Sequence, residues 1–155
     1  EVESMVGFCM EHGFILRLIE TMPMGDSGRS THYVNPQPVL QRLQQRFGLI
    51  AGVVPGGGPA RYLHSVDGEF SLGFITPISQ HFCATCNRVR LTVDGILHLC
   101  LGDEARVDLR TLLRGGATDS ELSACIAQAV DRKPERHDFG AAAHPIIRVM
   151  AATGG

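Results

Sequence analysis

Three cysteines between Phe74 and Cys100 are the side chains whose type and spacing point most directly to chemistry. Cys83 and Cys86 form a C-x-x-C pair in a stretch that favours irregular backbone, with Pro77, Ser79, Gln80 and Asn87 around it. Strand-like alternation begins at Arg88 and runs through Leu91 and Val93. Asp94-Gly95 predicts a two-residue type I′ turn, which requires positive φ at both central positions, and Ile96–Cys100 returns as the second strand. Such a hairpin brings Cys100 back toward the base of the C-x-x-C loop, where three thiolates could converge on a metal. Arg88 and Arg90 share one strand face by the two-residue period, immediately after that loop. Two guanidinium groups placed so predict an anion pocket.

Spacing leaves the metal open. A structural zinc site is closed by four ligands, and the fourth would be His81, His98, Cys9 or Cys125. An iron–sulfur cluster held by only three cysteines leaves one iron free for a substrate atom. Unligated or redox-active thiols are the third reading. Disulfides have least support: five cysteines is an odd number and nothing resembles a signal peptide, so a reducing, cytoplasmic setting is expected.

The stretch GFITPISQHFCATCNRVRLTVDGILHLCL resembles the carboxy-terminal cluster region of the GTP 3′,8-cyclase family, radical S-adenosylmethionine enzymes that open molybdenum-cofactor biosynthesis. The likeness extends through Arg17–Gly25 (RLIETMPMG), Gly58–Tyr62 (GPARY), Lys133–His137 (KPERH) and the final Gly154-Gly155, covering essentially the whole chain in family order. By that resemblance Cys83, Cys86 and Cys100 hold an auxiliary 4Fe–4S cluster whose open iron faces the guanine of GTP. Arg17, Arg88 and Arg90 contact the triphosphate, Met22 lies beside S-adenosylmethionine, and Gly154 and Gly155 form a tail that enters the active site. The resemblance implies that a 5′-deoxyadenosyl radical made at a second 4Fe–4S cluster removes the ribose 3′ hydrogen, and that the carbon radical attacks C8 of guanine. The product goes to cyclic pyranopterin monophosphate synthase, and a homodimer is a candidate assembly. The C-x-x-x-C-x-x-C motif that holds the family's second cluster does not occur in these residues, and Thr153 stands where isoleucine is usual. The chain is thus expected to be a carboxy-terminal half, inactive without the missing amino-terminal half.

The rest of the chain must position these groups. A chain of 155 residues, 44% apolar, can bury a real core. A net charge of −2 disfavours nucleic-acid capture, and no apolar run is long enough to span a membrane. Lys133 is the only lysine, a chain-wide skew that composition bias explains as well as function. Val2–His12 reads as a helix stopped at Gly13, Phe14–Ile19 as a short buried strand, and Thr21–Asn35 as a loop. A buried Arg17 on that strand would need an anion to meet it. Pro36–Phe47 reads as a helix closed by Gly48, and Leu49–Val54 as a strand. Pro55–Pro59 then breaks the chain; its glycines lack the Lys-Ser/Thr of a phosphate-binding loop. Strands Arg61–Val66 and Glu69–Ile75 meet at Asp67-Gly68. Asp108 caps Leu109–Arg114, and Thr118 with Glu121 opens the helix Ser120–Arg132, with Cys125 on its core face as Cys9 is on the first helix. The expected class is α/β: the carboxy-terminal part of an incomplete radical S-adenosylmethionine (βα) barrel over residues 1–58, then a small antiparallel sheet with helices over 59–155 carrying the cluster, GTP and the Gly-Gly tail.

Overall fold

The structure, a computed structural model, describes residues 1–56, 58–139 and 146–153. In chain order the helices are α1 (Val2–Glu11), α2 (Gly25–Ser30), α3 (Gln37–Phe47), α4 (Leu109–Arg114) and α5 (Asp119–Asp131). The strands are β1 (Leu16–Ile19), β2 (Ile50–Gly52), β3 (Arg61–His64), β4 (Ser71–Ile75), β5 (Arg90–Leu91), β6 (Ile96–His98) and β7 (Arg106–Asp108). The chain divides into two compact units. One comprises Glu1–Thr21 and His32–Phe82; the other comprises Met22–Thr31 and Cys83–Gly155. The expected boundary at Gly58 falls inside the first of them. Among the described residues no helix is long and apolar enough to cross a membrane.

In the first unit the sheet order is β1-β4-β3-β2, with β1 and β4 parallel and the other pairs antiparallel. Register sets Arg17 beside Gly73 and Ile19 beside Ile75. Val6 and Cys9 of α1, Leu43 of α3, and Leu63, Leu72 and Phe74 of the sheet form its core. Gly48 ends α3 at φ 61°, a left-handed conformation that costs a glycine little, and donates its N–H to Gln44. The class is α/β with two sheets and no closed barrel among the described residues.

The second unit has the antiparallel sheet β5-β6-β7. Leu97, Leu99, Leu109 and Ala129 are its core, with Cys125 packed against them. Asp108 caps α4 by accepting from the Thr111 N–H, and Thr118 and Glu121 make the full reciprocal box on α5.

Four local expectations change. Residues 25–30, expected as loop, form α2, six poor helix formers whose opening Gly25 N–H is tied to the Ile146 carbonyl at 3.0 Å. The strand β7 was not visible in a three-residue pattern and exists by pairing Val107 with Leu97. The β5–β6 turn is not type I′, because no residue other than glycine has positive φ. Gly95 at φ 78° donates to Thr92, and Thr92 pairs with Ile96, so Val93-Asp94-Gly95 is a three-residue loop ending in a left-handed glycine. Finally β1 is an edge strand, half-buried in alternation through Leu16 and Leu18, and Arg17 is exposed.

Candidate functional site

The C-x-x-C segment is a single tight turn. Cys83–Thr85 form one turn of 3-10 helix, with the Cys86 N–H on the Cys83 carbonyl at 3.0 Å, which puts both thiols on a short loop, half-buried. The chain then enters β5 at Arg90, so Arg88 lies in the approach to the strand. The expected shared strand face therefore does not apply to Arg88. The two side chains are still close enough to repel: burial first, and then the Arg88 charge, pull the Arg90 guanidinium below its ordinary value. Cys86 and Cys100 act on Arg90 in the opposite sense.

Cys100 follows β6, whose register places His98 opposite Arg90 on one side and Arg106 on the other. Burial pushes its thiol pKa up, helped by Cys83 and Asp103, while the Gly102 N–H and Lys133 favour the thiolate. The three cysteines and Arg90 thus share one electrostatic neighbourhood. His98 is 6% exposed, and burial together with the Arg148 charge lowers its pKa, so it stays neutral near neutral pH. Its Nδ1 and the Arg148 Nε are buried without a hydrogen-bond partner. Among the described residues no three His, Cys, Asp or Glu side chains are gathered to hold a single metal ion, so a ready-made zinc site closed by His81 or His98 is not present there.

Met22 belongs to this same unit; its carbonyl accepts from the Met24 N–H at 2.8 Å. Gly154 and Gly155 lie outside the described residues. Arg17 belongs to the first unit, where its Nε donates to the Tyr62 hydroxyl at 2.8 Å and its guanidinium lies 5.8 Å from that ring's centre. The expectation of a buried Arg17 charge fails because strand alternation turns the side chain outward.

Two residues with strong polar roles had no assigned part in the sequence reading. Glu20, 4% exposed, accepts from the Tyr33 hydroxyl and from the Ile78 and Ser79 N–H groups, pinning the stretch that leads toward Cys83. Its only signal in sequence is a carboxylate placed directly after the apolar strand. Arg148 is the other: a lone charge in the apolar run Pro145–Met150, and nothing in that run says where it binds.

The family described as Molybdenum Cofactor Synthesis C matches residues 14–139. A GTP 3′,8-cyclase of Paracoccus denitrificans is 43% identical over 162 aligned residues, covering 100% of this chain and 47% of that protein. The GTP 3′,8-cyclase of Caulobacter vibrioides is 44% identical, over all of this chain and 46% of that protein. A GTP 3′,8-cyclase 1 of Pseudomonas aeruginosa is 42% identical, over 100% and 49% respectively. The chain spans about half the length of the curated relatives it matches.

Proposed function

The chain belongs to the Molybdenum Cofactor Synthesis C family, and on that premise we propose that it is the carboxy-terminal portion of a GTP 3′,8-cyclase, holding an auxiliary 4Fe–4S cluster on Cys83, Cys86 and Cys100 and the triphosphate of GTP on Arg17, Arg88 and Arg90. One observation carries this reading: within one unit, Cys83 acts on Cys100, and both Cys86 and Cys100 act on Arg90. The donor set fits such a group. All three donors are half-buried thiols, and Cys86 and Cys100 lie near the Arg90 guanidinium, which suits thiolate ligation of iron. Around one ion, bonds of about 2.3 Å would bring thiolates to within roughly 4 Å of each other. A cluster spreads its ligands over separate irons, so it does not need the close trio that is missing here. When bound, it would supply one iron without a protein ligand, available to a purine atom.

The protein's own part is charge and placement. Burial and the neighbouring Arg88 charge both work against the Arg90 cation, and a triphosphate beside it would offset that cost. Arg17 is steadied at Nε by Tyr62, and its Nη groups remain for bidentate phosphate contact. Met22, beside S-adenosylmethionine, and the Gly154-Gly155 tail complete the reading, together with the second cluster, which the amino-terminal half of the enzyme would hold. Cyclic pyranopterin monophosphate synthase would take the product.

The test is Arg90→Ala in the complete enzyme. Charge-assisted contacts contribute about 1.5–3 kcal/mol each, so GTP affinity should fall roughly tenfold or more. Guanosine affinity and iron content should stay near those of the parent enzyme. Anaerobic titration with both ligands decides it: an equal loss for GTP and guanosine would mean that Arg90 serves the base or the fold.

A further inference from the structure

The turn that presents Cys100 is held from outside by residues far along the chain. Arg148 Nη2 donates to the carbonyls of Cys100 (3.2 Å), Leu101 (2.8 Å) and Asp103 (2.7 Å). Its Nη1 meets the Glu104 carboxylate at 2.9 Å, and the side chain is only 10% exposed. The remaining carbonyl, that of Gly102, accepts from the Asp138 N–H at 3.0 Å. Every carbonyl from Cys100 to Asp103 is therefore engaged by Arg148 or by the backbone of Asp138. His137 and Phe139 close over the same turn: a Cβ at Gly102 would lie 2.6 Å from the His137 Cβ and 2.9 Å from the Phe139 ring. Inside it, the Gly102 N–H favours the Cys100 thiolate. The segment carrying Arg148 is fixed in turn by Ile146, which bridges Met24 and accepts from Gly25 and from Arg29 Nη1.

Burying a guanidinium is expensive unless its hydrogen bonds are well made. Here that cost is spent on one four-residue turn, and the turn ends in a thiol. We propose that Arg148 is a positioning residue for the third cysteine, locking the Cys100–Asp103 turn so that the Cys100 thiol is already placed when iron arrives. The inference rests on the reading of Cys83, Cys86 and Cys100 as cluster ligands. Groups around metal ligands orient them in just this way and affect metal affinity strongly when removed. A planar guanidinium can meet a carboxylate with one Nη and, with one of the two N–H bonds of the other Nη shared between acceptors, reach three carbonyls; an ammonium cannot span both sets.

The experiment compares the wild-type chain with Arg148→Met, Arg148→Lys and Gly102→Ala. It measures amide exchange at position 102 in the metal-free protein, and iron bound per folded chain after anaerobic reconstitution. Gly102→Ala reaches the same turn through His137 and Phe139, so the comparison survives if Arg148→Met does not fold. Exchange at position 102 should accelerate about tenfold or more in Arg148→Met and Gly102→Ala. Iron per folded chain should fall at least severalfold in both, with only partial recovery in Arg148→Lys. A merely structural tie would lower the melting temperature and leave iron per folded chain unchanged, and that result overturns the proposal. So does unchanged exchange in a folded Arg148→Met. Accelerated exchange with no iron in the wild-type chain overturns the cluster reading itself, and with it the ligand role of Arg148.

Discussion

Glu20 shows how much one side chain can organise. Its carboxylate accepts from the Tyr33 hydroxyl at 2.7 Å, the Ile78 N–H at 2.6 Å and the Ser79 N–H at 3.0 Å. Burial alone would raise its pKa, but these donors together overcome that and hold it below the ordinary 4.5. A depressed carboxylate stabilises the fold above its unfolded pKa and loses that contribution as pH falls through the folded value. Glu20→Gln should therefore cost about 1–3 kcal/mol at neutral pH, with the gap to the parent closing under acid, below pH 4.5. Urea denaturation across pH measures it, and equal stability at pH 7 would show that Ile78 and Ser79 find other acceptors. The C-x-x-C spacing is legible because it is a local property of the sequence. Glu20 was not, since its donors at Ile78 and Ser79 become neighbours only when β1 pairs with β4. The burial of Arg17 was misjudged for the same reason: an apolar run does not reveal that its strand is an edge.

At the level of elements, caps and stops are read well, because each depends on residues three or four positions apart. Thr118 with Glu121, Asp108 with Thr111, and Gly48 all act as their types require. The β5–β6 loop is the instructive miss. Asp-Gly was read as the two centre positions of a turn, whereas Gly95 is the last residue of a three-residue loop at φ 78°. Register, set by Leu91 opposite Leu97, decides between the two, and register is a property of the pair of strands. Gly95 also packs closely: a Cβ there would lie 2.8 Å from the Arg110 Cβ. Gly95→Ala should accordingly destabilise the chain by roughly 1–3 kcal/mol through strain at positive φ, read as a lower urea midpoint. An unchanged midpoint would mean that the hairpin can shift to the two-residue turn after all.

For the whole molecule, the α/β class follows from alternating helix and strand signals, whereas the parallel strand pair β1–β4 does not, because its partners are separated by α2, α3 and two antiparallel strands. The 155 residues contain no C-x-x-x-C-x-x-C motif. Reconstituted anaerobically by itself and given GTP and S-adenosylmethionine, the chain should form no cyclised nucleotide by mass spectrometry; detectable product would show that radical generation needs nothing beyond these residues. The hold of Arg148 on Cys100 also has a consequence in time. The two are 48 positions apart, and ribosomes add roughly 5–20 residues per second. The third thiol therefore leaves the ribosome about 2–10 s before the guanidinium that fixes its turn. Until the stretch around Arg148 has emerged, the Cys100 turn lacks the guanidinium that holds it, so any iron meeting the nascent chain in that interval would find this thiol on an untethered turn.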